Sequence, residues 1–270
     1  MHLKRWVTGL SALPFLIYFI IKGGIVFTVF IGVVALIALW EYFRVVFHQK
    51  DSLSVLTLKI IAYIYVVLIM WAAHGLSAEL MLNSLVFCFG FTGFISILMY
   101  RRDPLVFETA KTQLLGILYI PLLFAYLILI RDGSLKEGAV WILFVVFVVF
   151  SGDIGALYAG TFLGKHKLYP ALSPKKTIEG SLGGIAANII IGGIFKLIFL
   201  AHLSWGVSLL FFVALGVAGQ AGDLYESGLK RVANIKDSGS ILPGHGGILD
   251  RADAIMFAAP VAYLFKVYLF

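Results

Sequence analysis

Long apolar runs separated by short polar segments make up nearly the whole chain. About 20 consecutive apolar residues are enough for a helix to cross a bilayer. Nine such runs can be drawn, at approximately 7–21, 24–40, 60–74, 78–99, 112–130, 138–163, 178–200, 204–222 and 252–269. The pattern predicts an all-α polytopic membrane protein with about nine transmembrane helices, of which the first and third are short.

The composition agrees with this prediction. Hydrophobic residues make up 61% of the 270 residues and charged residues only 13%, whereas a soluble domain contains about 25% charged residues. The single cysteine, Cys88, excludes an internal disulfide. The N-terminus resembles a signal peptide, with two bases before apolar sequence. No A-x-A-like cleavage site follows, so we interpret this segment as a retained first helix.

The distribution of basic residues predicts the orientation of the chain. If the spans alternate and the N-terminus is cytoplasmic, 16 of the 21 Lys and Arg residues fall on the cytoplasmic side and 5 on the other. An excess of Lys and Arg is typical of cytoplasmic loops, so we predict a cytoplasmic N-terminus. The net charge of +7 therefore reflects topology and does not indicate binding to nucleic acid.

One polar segment near the C-terminus, residues 222–253, is richer in charge than a connecting loop requires. It contains five of the fourteen acidic residues, several bases and a Pro-Gly-His-Gly-Gly turn at 243–247. Glycines allow the backbone to approach a phosphate, and a helix N-terminus favours an anion. The glycines alone are a weak signal. His245 fits a phosphate contact, proton transfer or a structural role, and the sequence leaves these open.

The acidic residues of this segment have helical spacing. Asp223, Glu226 and Ser227 stand at i, i+3 and i+4, so a helix places their oxygens on one face. Asp250 and Asp253 repeat the i, i+3 spacing at the start of the last span, and the two acidic faces could converge at the cytoplasmic surface. Oxygen ligands of this kind suit Mg²⁺. We therefore favour metal binding by Asp223 with Asp250 over simple pairing with nearby bases.

Asp153 lies in the sixth apolar run, where a carboxylate costs several kcal/mol unless it is paired or faces water. Glycines at 152, 155 and 160 would allow another helix or a ligand to come close. A functional role and a hydrogen bond to a neighbouring helix are both compatible with this position.

A basic loop at 164–177 precedes the seventh run. Lys175 and Lys176 could clamp a polyphosphate as point charges or contact anionic lipid. Thr177 fits the N-cap position of the following helix, although Gly180 stands where a capping box has an acid.

Taken together, these motifs resemble the phosphatidate cytidylyltransferase (CDP-diacylglycerol synthase) family over about residues 150–253. The matching residues are Asp153, Ser173-Pro-Lys-Lys-Thr177, Glu179-Gly180, Gly222-Asp223, Ser227, Lys230-Arg231, Lys236-Asp237, Pro243-Gly-His245-Gly246-Gly247, Asp250-Arg251 and Asp253. Two positions depart from the family pattern. Thr161 stands where many members have Arg, and Ala252 where a bulkier residue is common, but neither change removes a carboxylate.

The resemblance implies transfer of CMP from CTP to phosphatidate, giving CDP-diacylglycerol and pyrophosphate, by an all-helical membrane enzyme. It also implies Mg²⁺ dependence, a potassium ion at the metal centre, and homodimers. Expected catalytic residues are Asp223, Asp250, Lys230, Arg231 and His245. Expected substrate-binding residues are Ser173, Lys175, Lys176, Thr177, Ser227, Lys236, Gly246, Gly247 and Arg251. Expected metal ligands are Asp223, Asp250, Asp253 and Glu226, and Asp153 is a further candidate.

We expect residues 1–137 to form a scaffold and dimerisation region and residues 138–270 a catalytic region, with the site on the cytoplasmic face of a bacterial inner membrane. Two alternatives stay open. A CTP-dependent lipid kinase would attack the γ-phosphorus and release CDP. A cation-coupled transporter would use Asp153 and Asp223 as ion ligands. The lack of an evident inverted repeat and the grouping of the acids at one surface count against transport.

Overall fold

The computed structural model describes residues 13–47, 52–235, 237–239, 241 and 246–270. Within these ranges, helices occupy all nine predicted positions, which confirms the all-α class. The helices are α1 Leu13–Lys22, α2 Gly24–Val46, α3 Leu53–His74, α4 Ala78–Met99, α5 Val106–Tyr119, α6 Pro121–Asp132, α7 Gly138–Phe162, α8 Ile178–Phe199, α9 Trp205–Val232 and α10 Leu249–Tyr268. In the described part of the chain, seven helical segments are long and apolar enough to cross a membrane, α5 and α6 counting as one. The chain is an integral membrane protein.

The first and last predicted spans are not among those seven segments. The described part of the first span begins only at Leu13 and gives a shorter apolar helix, α1. The last, α10, has 20 residues but carries four charged side chains, Asp250, Arg251, Asp253 and Lys266, which lower its mean hydropathy.

Several predicted spans are longer in the structure, among them the third and the fifth. The third is a full-length helix of 22 residues because it begins at Leu53, where the Ser52 side chain accepts a hydrogen bond from the Val55 N–H. The fifth extends over Val106–Asp132 and divides into α5 and α6 at Pro121, which lacks a backbone N–H and interrupts the helical hydrogen-bond ladder.

The chain forms two compact units, each of them discontinuous in sequence. The first contains the described residues of Met1–Gly133 and Ala233–Arg251, and in it α3 packs against α2, α4, α5 and α6. The second contains Ser134–Val232 and Ala252–Phe270, where α8 packs against α7 and α9. The functional division predicted after residue 137 stays a prediction.

Small residues allow α7 and α8 to pack closely. A Cβ on Gly155 would lie 2.5 Å from the Ala187 Cβ and 2.8 Å from the Gly183 carbonyl oxygen. A Cβ on Gly184 would lie 2.8 Å from the Gly152 carbonyl oxygen. Close approach of this kind is what small residues permit between membrane helices. The glycines around Asp153 therefore admit a neighbouring helix, as one of the two sequence interpretations expected.

A short hairpin, which the sequence did not predict, connects α7 to α8. Strands β1 (Lys167–Tyr169) and β2 (Ser173–Thr177) pair antiparallel, with Lys167 opposite Thr177 and Tyr169 opposite Ser173. Ser-Pro-Lys-Lys-Thr lacks the alternation of apolar and polar residues that indicates a strand. The hairpin converts the basic loop into an ordered element that carries Lys175 and Lys176 up to the start of α8.

Candidate active site

Two acid–lysine ion pairs lie beside a third acid, Asp253, in the second unit. The Lys176 Nζ lies 2.5 Å from the Asp223 Oδ2, and the Lys230 Nζ donates to the Glu226 Oε2 at 2.8 Å. Glu226 is 1% exposed and Asp253 is 8% exposed. We call these five residues the acid–lysine cluster. It joins α9, β2 and the first turns of α10 at one place.

The length of α9 explains how this cluster forms. The helix continues to Val232, ten residues beyond the predicted end of its apolar run, so its polar C-terminal part remains helical. Asp223, Glu226, Ser227 and Lys230 therefore lie on one face, and the Ser227 hydroxyl donates to the Asp223 Oδ1 at 3.4 Å. The predicted shared face of the α9 acids is confirmed.

Asp253 brings α10 into the same cluster. Its carboxylate lies next to Glu226 and within electrostatic range of Asp223 and Asp153. Gly222 permits this approach, because a Cβ there would collide with the Asp253 carbonyl oxygen. Neighbouring carboxylates repel one another unless cations offset their charge, and Lys176 and Lys230 already pair with Asp223 and Glu226.

The chemistry of this cluster fits a bound cation. The Lys176 ammonium group, 2.5 Å from the Asp223 Oδ2, shows that this oxygen accommodates a positive charge. The neighbouring carboxylate oxygens are of the kind that Mg²⁺ prefers as ligands. Within the described ranges, however, no three or more His, Cys, Asp or Glu side chains are arranged as a ready-made metal site. The assignments of Mg²⁺ and K⁺ stay predictions.

The hairpin also contributes basic groups. Lys175 is exposed and Ser173 half-buried on β2. The Arg231 Nε donates to the Leu172 carbonyl oxygen at 3.1 Å, which ties the end of α9 to the hairpin turn. The hairpin therefore brings Lys176 to Asp223 on α9 and receives Arg231 at its turn.

The start of α8 is fixed by two side chains. The Thr177 hydroxyl accepts a hydrogen bond from the Gly180 N–H at 3.0 Å, so the predicted N-cap is confirmed. Glu179 accepts from the Lys165 and His166 backbone N–H groups and lies 2.6 Å from the His166 Nδ1. Sequence reasoning gave Glu179 no role of its own; its position in the first turn of a helix was the available signal.

We expect Thr177→Val to destabilise the protein by about 1 kcal/mol, because valine fills the same volume but cannot accept the Gly180 hydrogen bond. Thr177 is buried, so water would not replace that bond. Thermal unfolding in detergent measures the change. Thr177→Ser retains the hydroxyl and serves as the control; equal unfolding temperatures for the valine variant and the wild type would refute the capping role.

Asp153 lines a small polar cavity between α7, α8 and α9. The lining includes Asn188 and Gln220, and Gln220 donates to the Ser181 carbonyl oxygen at 3.0 Å. The Asn188 Oδ1 is buried and has no hydrogen-bond partner among the described residues. Sequence reasoning missed these amides, although polar side chains inside apolar runs are a signal that could have found them.

Asp250 organises a separate loop in the first unit. Its Oδ2 accepts three hydrogen bonds, from the Ser238 N–H at 3.0 Å, the Ser238 hydroxyl at 2.9 Å and the Gly247 N–H at 2.8 Å. Gly246 has a φ of +85°, in the region that favours glycine. We call residues 237–239 and 246–250 the Asp250 loop. The backbone conformation at Gly246, in the predicted glycine turn, therefore favours glycine.

The remaining predicted site residues fall into two groups. Arg251 is exposed on α10. Lys236 and His245 lie outside the described residues, and their roles stay predictions.

Fold and site together define an integral membrane protein that carries a cluster of carboxylates and lysines at the ends of its helices. The chain matches the model of the "Cytidylyltransferase family" over residues 3–269. It therefore belongs to the cytidylyltransferase family, a family of nucleotidyltransferases.

Curated relatives extend over almost the whole chain. The phosphatidate cytidylyltransferase of Bacillus subtilis (strain 168) is 34% identical over 264 residues, which is 96% of this chain and 96% of that protein. The protein of the same name from Staphylococcus epidermidis (strain ATCC 12228) is 35% identical over 257 residues, 95% of this chain and 96% of its own. That from Staphylococcus aureus (strain COL) is 34% identical over 261 residues, with the same coverage.

Proposed function

We propose that this protein transfers CMP from CTP to phosphatidate, giving CDP-diacylglycerol and pyrophosphate. The observation that carries the proposal is the near full-length similarity to phosphatidate cytidylyltransferases. The acid–lysine cluster supports it because two lysines stand beside buried carboxylates at the end of an apolar helix. That environment suits a substrate with a lipid tail and a phosphate headgroup.

The reaction joins two polyanions. A phosphate oxygen of phosphatidate attacks the α-phosphorus of CTP, and the bond from that phosphorus to the oxygen bridging to the β-phosphorus breaks, so that pyrophosphate leaves with the bonding electrons. The nucleophile is already an anion, so no strong general base is required. Catalysis depends chiefly on alignment and charge neutralisation, for which we propose Lys176, Lys230 and Arg231.

Lys176 is suited to exchange partners during this reaction. It is bound to Asp223 in the structure, so an incoming phosphate competes for its ammonium group and frees the Asp223 carboxylate. We propose that the remaining predicted residues contact substrate as well. They are Ser173, Lys175, Thr177, Ser227, Lys236, His245, Gly246, Gly247 and Arg251.

Nucleotidyltransferases generally use a divalent metal. We propose Mg²⁺ held by Asp223 and Asp250, as the sequence predicts, with Asp253 and Glu226 close by or holding a potassium ion. The bound ion would offset charge on the departing pyrophosphate. We further propose a homodimer in a bacterial inner membrane, with the site facing the cytoplasm.

Removal of divalent metal should stop the reaction. We expect EDTA to eliminate pyrophosphate release and Mg²⁺ to restore it, because the carboxylates then lack the ion that neutralises the phosphates. Rates measured over a Mg²⁺ titration at fixed K⁺, and again without K⁺, separate the two cations. Undiminished turnover in EDTA would contradict the metal assignment.

Direct product analysis tests the proposed function. Purified protein in detergent is incubated with CTP, Mg²⁺ and phosphatidate, and the lipid fraction is examined by mass spectrometry. We expect a lipid heavier by one cytidylyl group, formed in equal amount to pyrophosphate and only when phosphatidate is present. Diacylglycerol in place of phosphatidate is the matched control, since it lacks the attacking phosphate.

A further inference from the structure

A buried glutamate in the second helix meets the Asp250 loop. Glu41 lies in α2, an apolar helix of membrane length, and its exposed fraction is 0%. Its Oε2 accepts a hydrogen bond from the Leu249 N–H at 2.8 Å, across 208 residues of sequence. A carboxylate in an apolar helix costs several kcal/mol unless it is bonded or faces water. The hydrogen bond to Leu249 offsets part of this cost.

The contact gives a hydrogen-bond acceptor to a backbone N–H group at the N-terminus of α10. Leu249 is the first residue of α10, and the first N–H groups of a helix have no partner within it. A carboxylate at this position also interacts favourably with the helix dipole. Glu41 therefore fixes the point at which the loop ends and α10 begins, one residue before Asp250.

Both halves of the Asp250 loop also pack against the Glu41 side chain. A Cβ on Gly247 would lie 2.5 Å from the Glu41 Oε2 and 2.6 Å from its Oε1, and a Cβ on Gly239 would collide with the Oε1 and lie 2.8 Å from the Cδ. Neither glycine can acquire a side chain without displacing the carboxylate. Glu41 thus forms the surface on which the two halves of the loop are brought together.

We propose that Glu41 is a positioning residue for the nucleotidyl transfer reaction. It holds the Asp250 loop by accepting from the Leu249 N–H of α10 and by packing on two glycines, and so sets the orientation of the Asp250 carboxylate. The role depends on the length of the side chain and its acceptor oxygen. The activity part of the test rests on the proposed function; the exchange part does not.

Kinetics of folded variants separate positioning from mere stabilisation. We expect Glu41→Gln, which keeps the length and one acceptor, to retain activity within about threefold. Glu41→Ala should lower kcat/KM for CTP by about tenfold or more and raise the Mg²⁺ concentration for half-maximal rate. If the alanine variant loses only folded yield, with kcat, KM and Mg²⁺ requirement unchanged, the proposal is wrong.

Asp132 provides a matched control in the same unit. It is also nearly buried, and its Oδ1 accepts from the Gly24 N–H, the first residue of α2, at 2.9 Å. We expect Asp132→Ala to reduce thermal stability without changing the KM for CTP or the Mg²⁺ requirement. Equal changes in KM and Mg²⁺ requirement in Asp132→Ala and Glu41→Ala would show that the loss of any buried carboxylate at a helix N-terminus changes the kinetics. That result would overturn the proposed positioning role of Glu41.

A loop-side variant keeps the test decisive if Glu41→Ala does not fold. Gly239→Ala should produce the same rise in Mg²⁺ requirement, because its Cβ displaces the carboxylate. Adding Glu41→Asp, which withdraws the carboxylate by one methylene, should recover part of the loss. The double variant would then retain more activity than the product of the two single effects; strictly multiplicative losses would contradict direct packing.

Amide hydrogen exchange tests the contact without substrate. We expect the backbone of 246–250 to exchange at least about tenfold faster in Glu41→Ala, or in Gly239→Ala, than in the wild type or Asp132→Ala. If the wild type proves inactive but the variants still differ in exchange in this way, the proposed function is refuted and the positioning contact stands. Unchanged exchange in this loop would refute the contact itself.

Discussion

Asp223→Asn is expected to reduce nucleotidyl transfer by about 10²- to 10³-fold, the range seen when one group that stabilises transition-state charge is removed. The substitution keeps the shape of the side chain but removes the charge that holds Lys176 at 2.5 Å. The side chain is 37% exposed, so the cost in stability should be small. Initial rates of pyrophosphate release at saturating CTP and phosphatidate measure the effect.

A surface ion pair supplies the matched control for Asp223. Glu108 lies 2.6 Å from Lys111, and both side chains are about two-thirds exposed. Glu108→Gln removes one charge from an acid–lysine pair outside the cluster, and exposed pairs of this kind contribute little. It should leave the rate unchanged. An Asp223→Asn variant as active as Glu108→Gln would exclude Asp223 from the reaction.

Asp250→Asn is expected to reduce activity by a similar factor, about 10²- to 10³-fold, while the Asp250 loop stays in place. Three hydrogen bonds reach the Oδ2 of this carboxylate, and an asparagine amide oxygen placed there can accept them. The variant therefore isolates the negative charge. Asp250→Ala removes both the charge and the three bonds, so it should also speed amide exchange at Gly247.

The comparison of the two Asp250 variants distinguishes a metal-binding role from a structural one. If the charge binds metal or governs phosphate, both variants lose activity and only alanine loosens the loop. If Asp250 merely holds Ser238 and Gly247, asparagine retains most of the activity and only alanine loses it. The second outcome would remove Asp250 from the proposed metal ligands.

The parts of the site that periodicity governs could be predicted from sequence. The spacing of Asp223, Glu226 and Ser227 requires only that the helix continue past its apolar run, since residues three and four apart meet on any α-helix. Thr177 was likewise recognisable as a cap from its own chemistry and its position before an apolar run. Such features depend on neighbours within about one helical turn.

The parts that depend on long-range contacts could not be predicted. The partnership of Lys176 with Asp223 requires the hairpin, whose strands have no apolar alternation. The contact of Glu41 with Leu249 joins positions 208 residues apart, and only tertiary packing brings them together. A lone glutamate in an apolar helix indicates that a partner exists, but nothing local identifies which one.

Labelled CTP tests the central claim most directly. Purified protein with phosphatidate and Mg²⁺ receives CTP labelled at the α-phosphate in one reaction and at the γ-phosphate in another. A cytidylyltransferase places the α-label in the lipid and releases the γ-label as pyrophosphate, and Asp223→Asn should reduce both by about 10²- to 10³-fold. Transfer of the γ-label to a lipid, with release of CDP, would contradict the proposed function and establish a lipid kinase instead.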